Sequence, residues 1–219
     1  MERIIVTGFR QVPEFAQGLV RDLRVRWALE EAGLPYEVEL IEFGERHSAE
    51  YRQKNPFGMV PAFEADGRGL FESGAIVHRI AAESETLMPA DPHGRATTLT
   101  WMFAALNTVE PLVNSLSVMD LQHRDEQWAM LRRPAVVDTV KARLGVLSER
   151  LEGRDYLVDR FTAADVLMTT VLRLIRHTDL VAEYPAVDGY LKRCEARPAF
   201  QKALRGQMAE FGSNEPVAA

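Results

Sequence analysis

The periodicity of this chain changes once, near Pro92, and that single change restricts it to a mixed α/β unit followed by an all-helical one. Ahead of the change, β-branched and alternating runs are interleaved with amphipathic stretches. Ile4-Ile5-Val6 suits a buried strand, and Val20 to Ala32 suits a helix stopped by Gly33 with Pro35 just beyond. Tyr36 to Ile41 alternates as a second strand. Ala62 to Ala65 and Leu70 to Glu72 flank Asp66-Gly67-Arg68-Gly69 as a hairpin, and Ser73 to Glu83 returns to helical spacing through Ile76, Val77 and Ile80. The predicted order is β-α-β-(short helix)-β-β-α.

Beyond the Pro-punctuated segment Met88 to Pro92, Leu99, Met102, Phe103, Leu106, Val109 and Val113 recur at three and four and predict one long amphipathic helix. Val137, Val140, Leu144, Leu147 and Leu151 predict a second, antiparallel to the first and ending before Gly153. Ala163 to Ile175 is apolar on nearly every side and should be the most buried helix of a bundle. Pro185 to Arg197 and Pro198 to Phe211 complete it, and Gly212 to Ala219 reads as a frayed end. The expected division is residues 1–85, a linker at 86–92, and residues 93–219.

Charge and composition exclude several functions. The 219 residues carry 26 Lys and Arg against 32 Asp and Glu, a net charge of −6, so the basic footprint of a nucleic-acid binder is missing. The single cysteine, Cys194, can form neither an internal disulfide nor a Cys-x-x-Cys redox pair. The five histidines lack His-x-x-x-His spacing, and no metal is expected. No window approaches the ~18 consecutive apolar residues of a membrane span. Met1 to Phe9 lacks the basic start and cleavage site of a signal peptide, so no membrane partner and a cytoplasmic location are expected.

The chemistry concentrates in two short segments. In Asn55-Pro56-Phe57-Gly58-Met59-Val60-Pro61, a proline opening a strand after valine, with a cis bond before Pro61, presents the Val60 main chain outward to pair with a peptide. Glu72 and Ser73 stand at a strand-to-helix junction. There the helix N–H groups and the serine hydroxyl can hold a carboxylate, while Glu72 accepts from an ammonium. Together they would grip an α-amino acid end.

These segments, with Val25 to Tyr36, Arg197-Pro198-Ala199-Phe200 and the capping box Thr162 to Asp165, resemble the soluble glutathione transferases, bacterial-like and with an insertion after the first strand. The resemblance implies a thioredoxin-like α/β domain carrying the glutathione site and an all-α C-terminal domain. It implies that Val60 pairs with the cysteinyl part of glutathione, that Pro61 is the cis-proline, and that Glu72 with Ser73 holds the γ-glutamyl end. Lys54 is the expected cation for the glycine carboxylate. Glutathione would be the co-substrate, its thiol activated for attack on a small apolar electrophile, in a homodimer to which Phe57 contributes.

The thiol-activating residue departs from the family pattern. The slots for serine or cysteine at the first helix hold Leu19, Val20 and Arg21, and an apparent insertion spans Phe9 to Gly18. Lowering a thiol pKa by ~2 units takes about 2.7 kcal/mol, which a hydroxyl, a guanidinium or a helix N-terminus can supply in part. Thr7 and Arg10 are the expected catalytic residues. Arg21, Arg24 and Arg26 read as a solvated or interdomain helix face. The alternatives on the same fold are a non-catalytic glutathione-binding or assembly protein, or a glutathione-dependent isomerase, dehalogenase or peroxidase.

Overall fold

In a computed structural model, which describes residues 3–212, the chain forms two compact units, one taking the described residues through Leu87 together with Pro198 onward, the other Met88–Arg197. The first unit runs β1 (Ile4–Phe9), α1 (Asp22–Ala32), β2 (Glu37–Ile41), α2 (Ala49–Lys54), β3 (Ala62–Ala65), β4 (Arg68–Phe71) and α3 (Ser73–Ala81). Its sheet has the order β2-β1-β3-β4, with β1 parallel to β2 and antiparallel to β3, and β4 antiparallel to β3. The predicted element order holds. Two local signals act as expected: Gly33 ends α1 in the left-handed region at φ 66°, and Asp66-Gly67, both at positive φ, turn the hairpin. A two-residue turn suffices, so β4 starts at Arg68, two residues earlier than the sequence suggests.

The second unit carries α4 (Pro92–Phe103), α5 (Glu110–Gln122), α6 (Gln127–Leu151), α7 (Ala163–Leu172) and α8 (Pro185–Glu195). The single long helix expected through Val113 is interrupted by a π-helical turn over Ala104–Val109, where the Glu110 N–H reaches back to the Ala105 carbonyl. Pro111 explains the interruption, because it has no N–H to donate and its ring crowds the preceding turn. α6 starts ten residues before the expected Val137, since its early apolar residues Trp128, Met130 and Leu131 are exposed and keep no core-facing period. α7 is buried at all ten positions, as its apolar surround requires. At its start Asp165 accepts from the main-chain N–H of Thr162 (2.8 Å) and Leu157 (3.0 Å) and from the Tyr190 hydroxyl (3.1 Å). Burial still pushes its carboxyl up to about 6.

The last described helix, α9 (Pro198–Gly212), packs on α1 inside the first unit, although its place in the sequence groups it with the helical residues 93–219. Phe200 meets Trp27 edge to face at 4.9 Å, both fully buried. Periodicity identifies such a helix and its apolar face, but not the surface that face covers. Of the end expected to fray from Gly212 on, Gly212 is the last residue of α9, and residues 213–219 lie outside the described residues.

Candidate functional site

The Asn55–Pro61 loop is built to hold its main chain still. Ser48 caps α2 by accepting from the Tyr51 N–H at 3.1 Å, which places the Tyr51 hydroxyl 2.8 Å from the Met59 carbonyl. Asn55 donates to the same carbonyl at 2.7 Å and accepts the Phe57 N–H at 3.1 Å. Gly58 takes φ 63°, and a Cβ there would lie 2.7 Å from the Arg46 carbonyl oxygen, so backbone conformation and space both demand glycine. With Met59 anchored twice, the chain enters a cis Val60–Pro61 peptide and then β3.

Sheet register brings the second segment alongside. Ala62 pairs with Phe71, so Pro61 and Glu72 leave the ladder next to each other on adjacent antiparallel strands. Glu72 is exposed, sits at φ 68° and begins α3; Ser73 is buried. The guanidinium of Arg24, 2 % exposed, donates to the Ser73 hydroxyl oxygen at 3.1 Å. That bond occupies a serine lone pair and leaves the serine proton to be donated. A buried guanidinium, a free hydroxyl proton and the first N–H groups of α3 thus converge beside an exposed carboxylate, an arrangement suited to a zwitterionic amino-acid end.

Of the two expectations for this row, a solvated or an interdomain face, Arg24 and Arg26 rule out the solvated one. Both are 2 % exposed, because α1 is covered on opposite sides. Arg26 donates to Asp22 at 2.7 Å and, through both terminal nitrogens, to Glu210 of α9 at 2.9 and 2.6 Å. Gln207 of α9 closes the cluster by donating to Asp22 at 2.7 Å and to the Val20 carbonyl at 3.3 Å. Burial pushes the Asp22 carboxyl up to about 6 in spite of the guanidinium, and the Asp22 and Glu210 charges raise Arg26. A Cβ on Gly8 would meet Arg26 at 3.0 Å and Asp22 at 3.2 Å, which explains a residue without a side chain near the end of β1. One signal could have separated the two arginines: at about 100° per residue, positions 24 and 26 lie some 200° apart on a helix and cannot share one face.

The other expected residues lie elsewhere. Thr7 is 2 % exposed and pairs in register with Glu39, while Lys54 is ion-paired to Glu39. Thr7 and Lys54 share a cavity that none of Val60, Pro61, Glu72 and Ser73 lines. Arg10 bonds Glu42 at 2.9 Å with both side chains about half exposed. Leu19, Val20 and Arg21, in the turn that opens α1, are partly buried. A cleft of about 440 Å³ lies between the loop residues Gln11, Val12, Pro13 and Gln17, with Phe43 and Phe211. Cys194 is fully buried and its thiol is pushed up to about 12 by burial, which removes it as a nucleophile.

Residues 17–82 match the family description "Glutathione S-transferase, N-terminal domain", and residues 122–198 match "Glutathione S-transferase, C-terminal domain". The chain is 30 % identical over 189 residues to a protein named probable maleylacetoacetate isomerase 2 from Drosophila melanogaster, covering 82 % of this chain and 81 % of that one. Among solved structures it resembles a glutathione transferase from Burkholderia graminis with two glutathione molecules bound per subunit, at 30 % identity and TM-score 0.78, covering 93 % and 88 % of the two chains. A glutathione transferase from Pseudomonas putida with one glutathione disulfide per subunit is 27 % identical, with TM-score 0.81 and coverage of 93 % and 91 %.

Proposed function

The chain belongs to the glutathione S-transferase family, and from that premise we propose that it is a working transferase that activates the glutathione thiol for attack on a small, largely apolar electrophile. The observation that carries the reading is the convergence of Arg24, Ser73 and Glu72 beside the anchored Val60–Pro61 loop. In this reading the γ-glutamyl carboxylate takes the Ser73 hydroxyl proton and the α3 N–H groups, with the Arg24 charge behind them, and the ammonium pairs with Glu72. The Val60 main chain then pairs with the cysteinyl segment, directing the thiol toward the opening of α1. With no hydroxyl or thiol in the usual slots, positive charge supplies the activation: Arg21 at the N-cap of α1 first, Arg10 second, each favouring thiolate over thiol. The cleft under Phe43 and Phe211 offers the acceptor an apolar wall.

Calorimetric titration with glutathione, together with the thiolate absorbance of the bound peptide against pH, tests the reading. Ser73→Ala and Arg24→Met should each weaken glutathione binding by about 1–3 kcal/mol, the cost of a lost buried or charged hydrogen bond. Arg21→Gln should return the bound thiol toward its free pKa while binding persists. Unchanged affinity in both of the first two variants would sink the site. A second reading within the same thiol chemistry, glutathione-dependent isomerisation, is favoured by the 30 % identity to the Drosophila protein, whose name is that of an isomerase. Turnover of an unsaturated dicarboxylate without net consumption of glutathione would select it.

A further inference from the structure

The opening of α1 has little of its own to fix where its first turn points. Arg21, at the N-cap, has φ −67° and ψ −14°, no side chain caps the helix there, and Gly18 just ahead of it takes φ 73°. Bonds to the third residue back close the turn, from the Leu23 N–H to the Val20 carbonyl at 3.0 Å and from the Arg24 N–H to the Arg21 carbonyl at 3.2 Å. Further support arrives from 187 residues away. The Gln207 amide of α9 donates to the Asp22 carboxylate at 2.7 Å and to the Val20 carbonyl at 3.3 Å. Val20 and Asp22 flank Arg21, so one amide group pins the chain on both sides of the residue whose charge stands first for thiol activation.

Both bonds run from Nε2 to an oxygen, which fixes the orientation of the amide, since the flipped group would set Oε1 against two acceptors. The other end of the amide is the second, independent observation. Gln207 is 1 % exposed, and its Oε1 is buried with no hydrogen-bond partner among the described residues. A buried amide oxygen without a donor carries a desolvation cost. Methionine would fill the same space between α1 and α9 without that cost, so packing does not call for glutamine here. Charge balance does not call for it either, because Arg26 already stands 2.7 Å from Asp22.

We propose, on the premise of the transferase reading above, that Gln207 is a positioning residue for thiol activation: through Val20 and Asp22 it holds Arg21 and the first turn of α1 where they favour the thiolate. The pull of a guanidinium or a helix N-terminus on a thiolate is short-ranged, so freedom in this turn costs activation before it costs binding. Gln207 is itself too buried to touch glutathione. Its effect therefore falls on ionisation of the bound thiol and not on the γ-glutamyl end, which Ser73, Arg24 and Glu72 hold.

Calorimetry with glutathione and the thiolate absorbance of the bound peptide against pH, both on the full chain, test the assignment. Gln207→Met should keep glutathione affinity within about twofold and raise the bound thiol pKa by about one unit, a roughly tenfold smaller thiolate-to-thiol ratio at a given pH. Its melting midpoint should stay within a few degrees of the wild type. Phe200→Leu is the control for a merely structural role: it loosens the same helix pair about two turns along α9, at Trp27, and should lower the midpoint without moving the thiol. A bound thiol unchanged in Gln207→Met, a shift of equal size in Phe200→Leu, or a Gln207→Met chain that no longer folds overturns the proposal and leaves the transferase reading standing. A wild type that does not bind glutathione, or binds it with the thiol at its free value, overturns both.

Discussion

Replacing Arg26 by methionine is the most direct test of what ties α9 to α1. The guanidinium is 2 % exposed and lies 2.7 Å from Asp22, which is itself 1 % exposed, while Glu210 on its other side keeps 22 % exposure. Methionine fills most of the volume of the arginine stem, so little is lost in packing. Glu210 can turn toward water. Asp22 cannot, and among the described residues keeps only the Gln207 amide at 2.7 Å. The expected cost is therefore that of an uncompensated buried carboxylate, about 3–5 kcal/mol near neutral pH. Its pH dependence has a definite sign. Asp22 already titrates at about 6 beside the arginine, above its unfolded value of about 3.9, and without the cation it moves higher. A carboxyl whose folded value is raised contributes stability that falls as pH rises through the gap between the two values. Arg26→Met should accordingly be less destabilised at pH 5 than at pH 7.5, which urea unfolding followed by circular dichroism measures. Asp22→Asn combined with Arg26→Met should recover at least half of the loss at pH 7.5. A loss below about 1 kcal/mol, or a double variant no better than the single, would refute the claim that the pair is a buried, mutually dependent charge cluster.

Three further outcomes follow from local geometry. Gly58→Ala forces a Cβ to 2.7 Å from the Arg46 carbonyl at φ +63° and should cost about 1–3 kcal/mol in unfolding experiments while weakening glutathione binding through the displaced Val60 main chain. Asp165, pushed up to about 6 by burial, holds a proton in the folded state between about pH 4 and 6 that the unfolded chain has released. Wild-type stability should therefore decline across that window and level off above it, and Asp165→Asn should flatten the decline; parallel pH profiles of the two proteins would count against the assignment. Cys194 should resist a thiol reagent in the native protein at pH 8 and react at once in denaturant, since it is both fully buried and raised to about 12; rapid native labelling would contradict its placement.

Much of this was legible because it is local. The hairpin turn needs only Asp66-Gly67, the end of α1 needs only Gly33, and the Thr162 to Asp165 box needs only four consecutive residues. The Val60–Pro61 and Glu72–Ser73 segments stood out for the same reason. The surroundings of Arg24 and Arg26 are not legible in the sequence because burial of a charge is not local: Arg24 finds Ser73 49 residues away, and Arg26 finds Glu210 184 residues away. Strand parity sets Thr7 on the α2 side of the sheet, together with Glu39 and Ile5, a placement that its position at the end of a strand does not reveal.

The sequence by itself therefore determined the kinds of element, their order, and the residues whose backbone chemistry permits only one conformation, since each depends on neighbours within a few positions. Only the tertiary structure decided that α9 packs on α1, that Arg24 stands behind Ser73, and which face of the sheet receives Thr7. Those outcomes depend on charges and apolar faces far apart in sequence finding one another where water is excluded, and pairing across such distances leaves no period in the chain to be read.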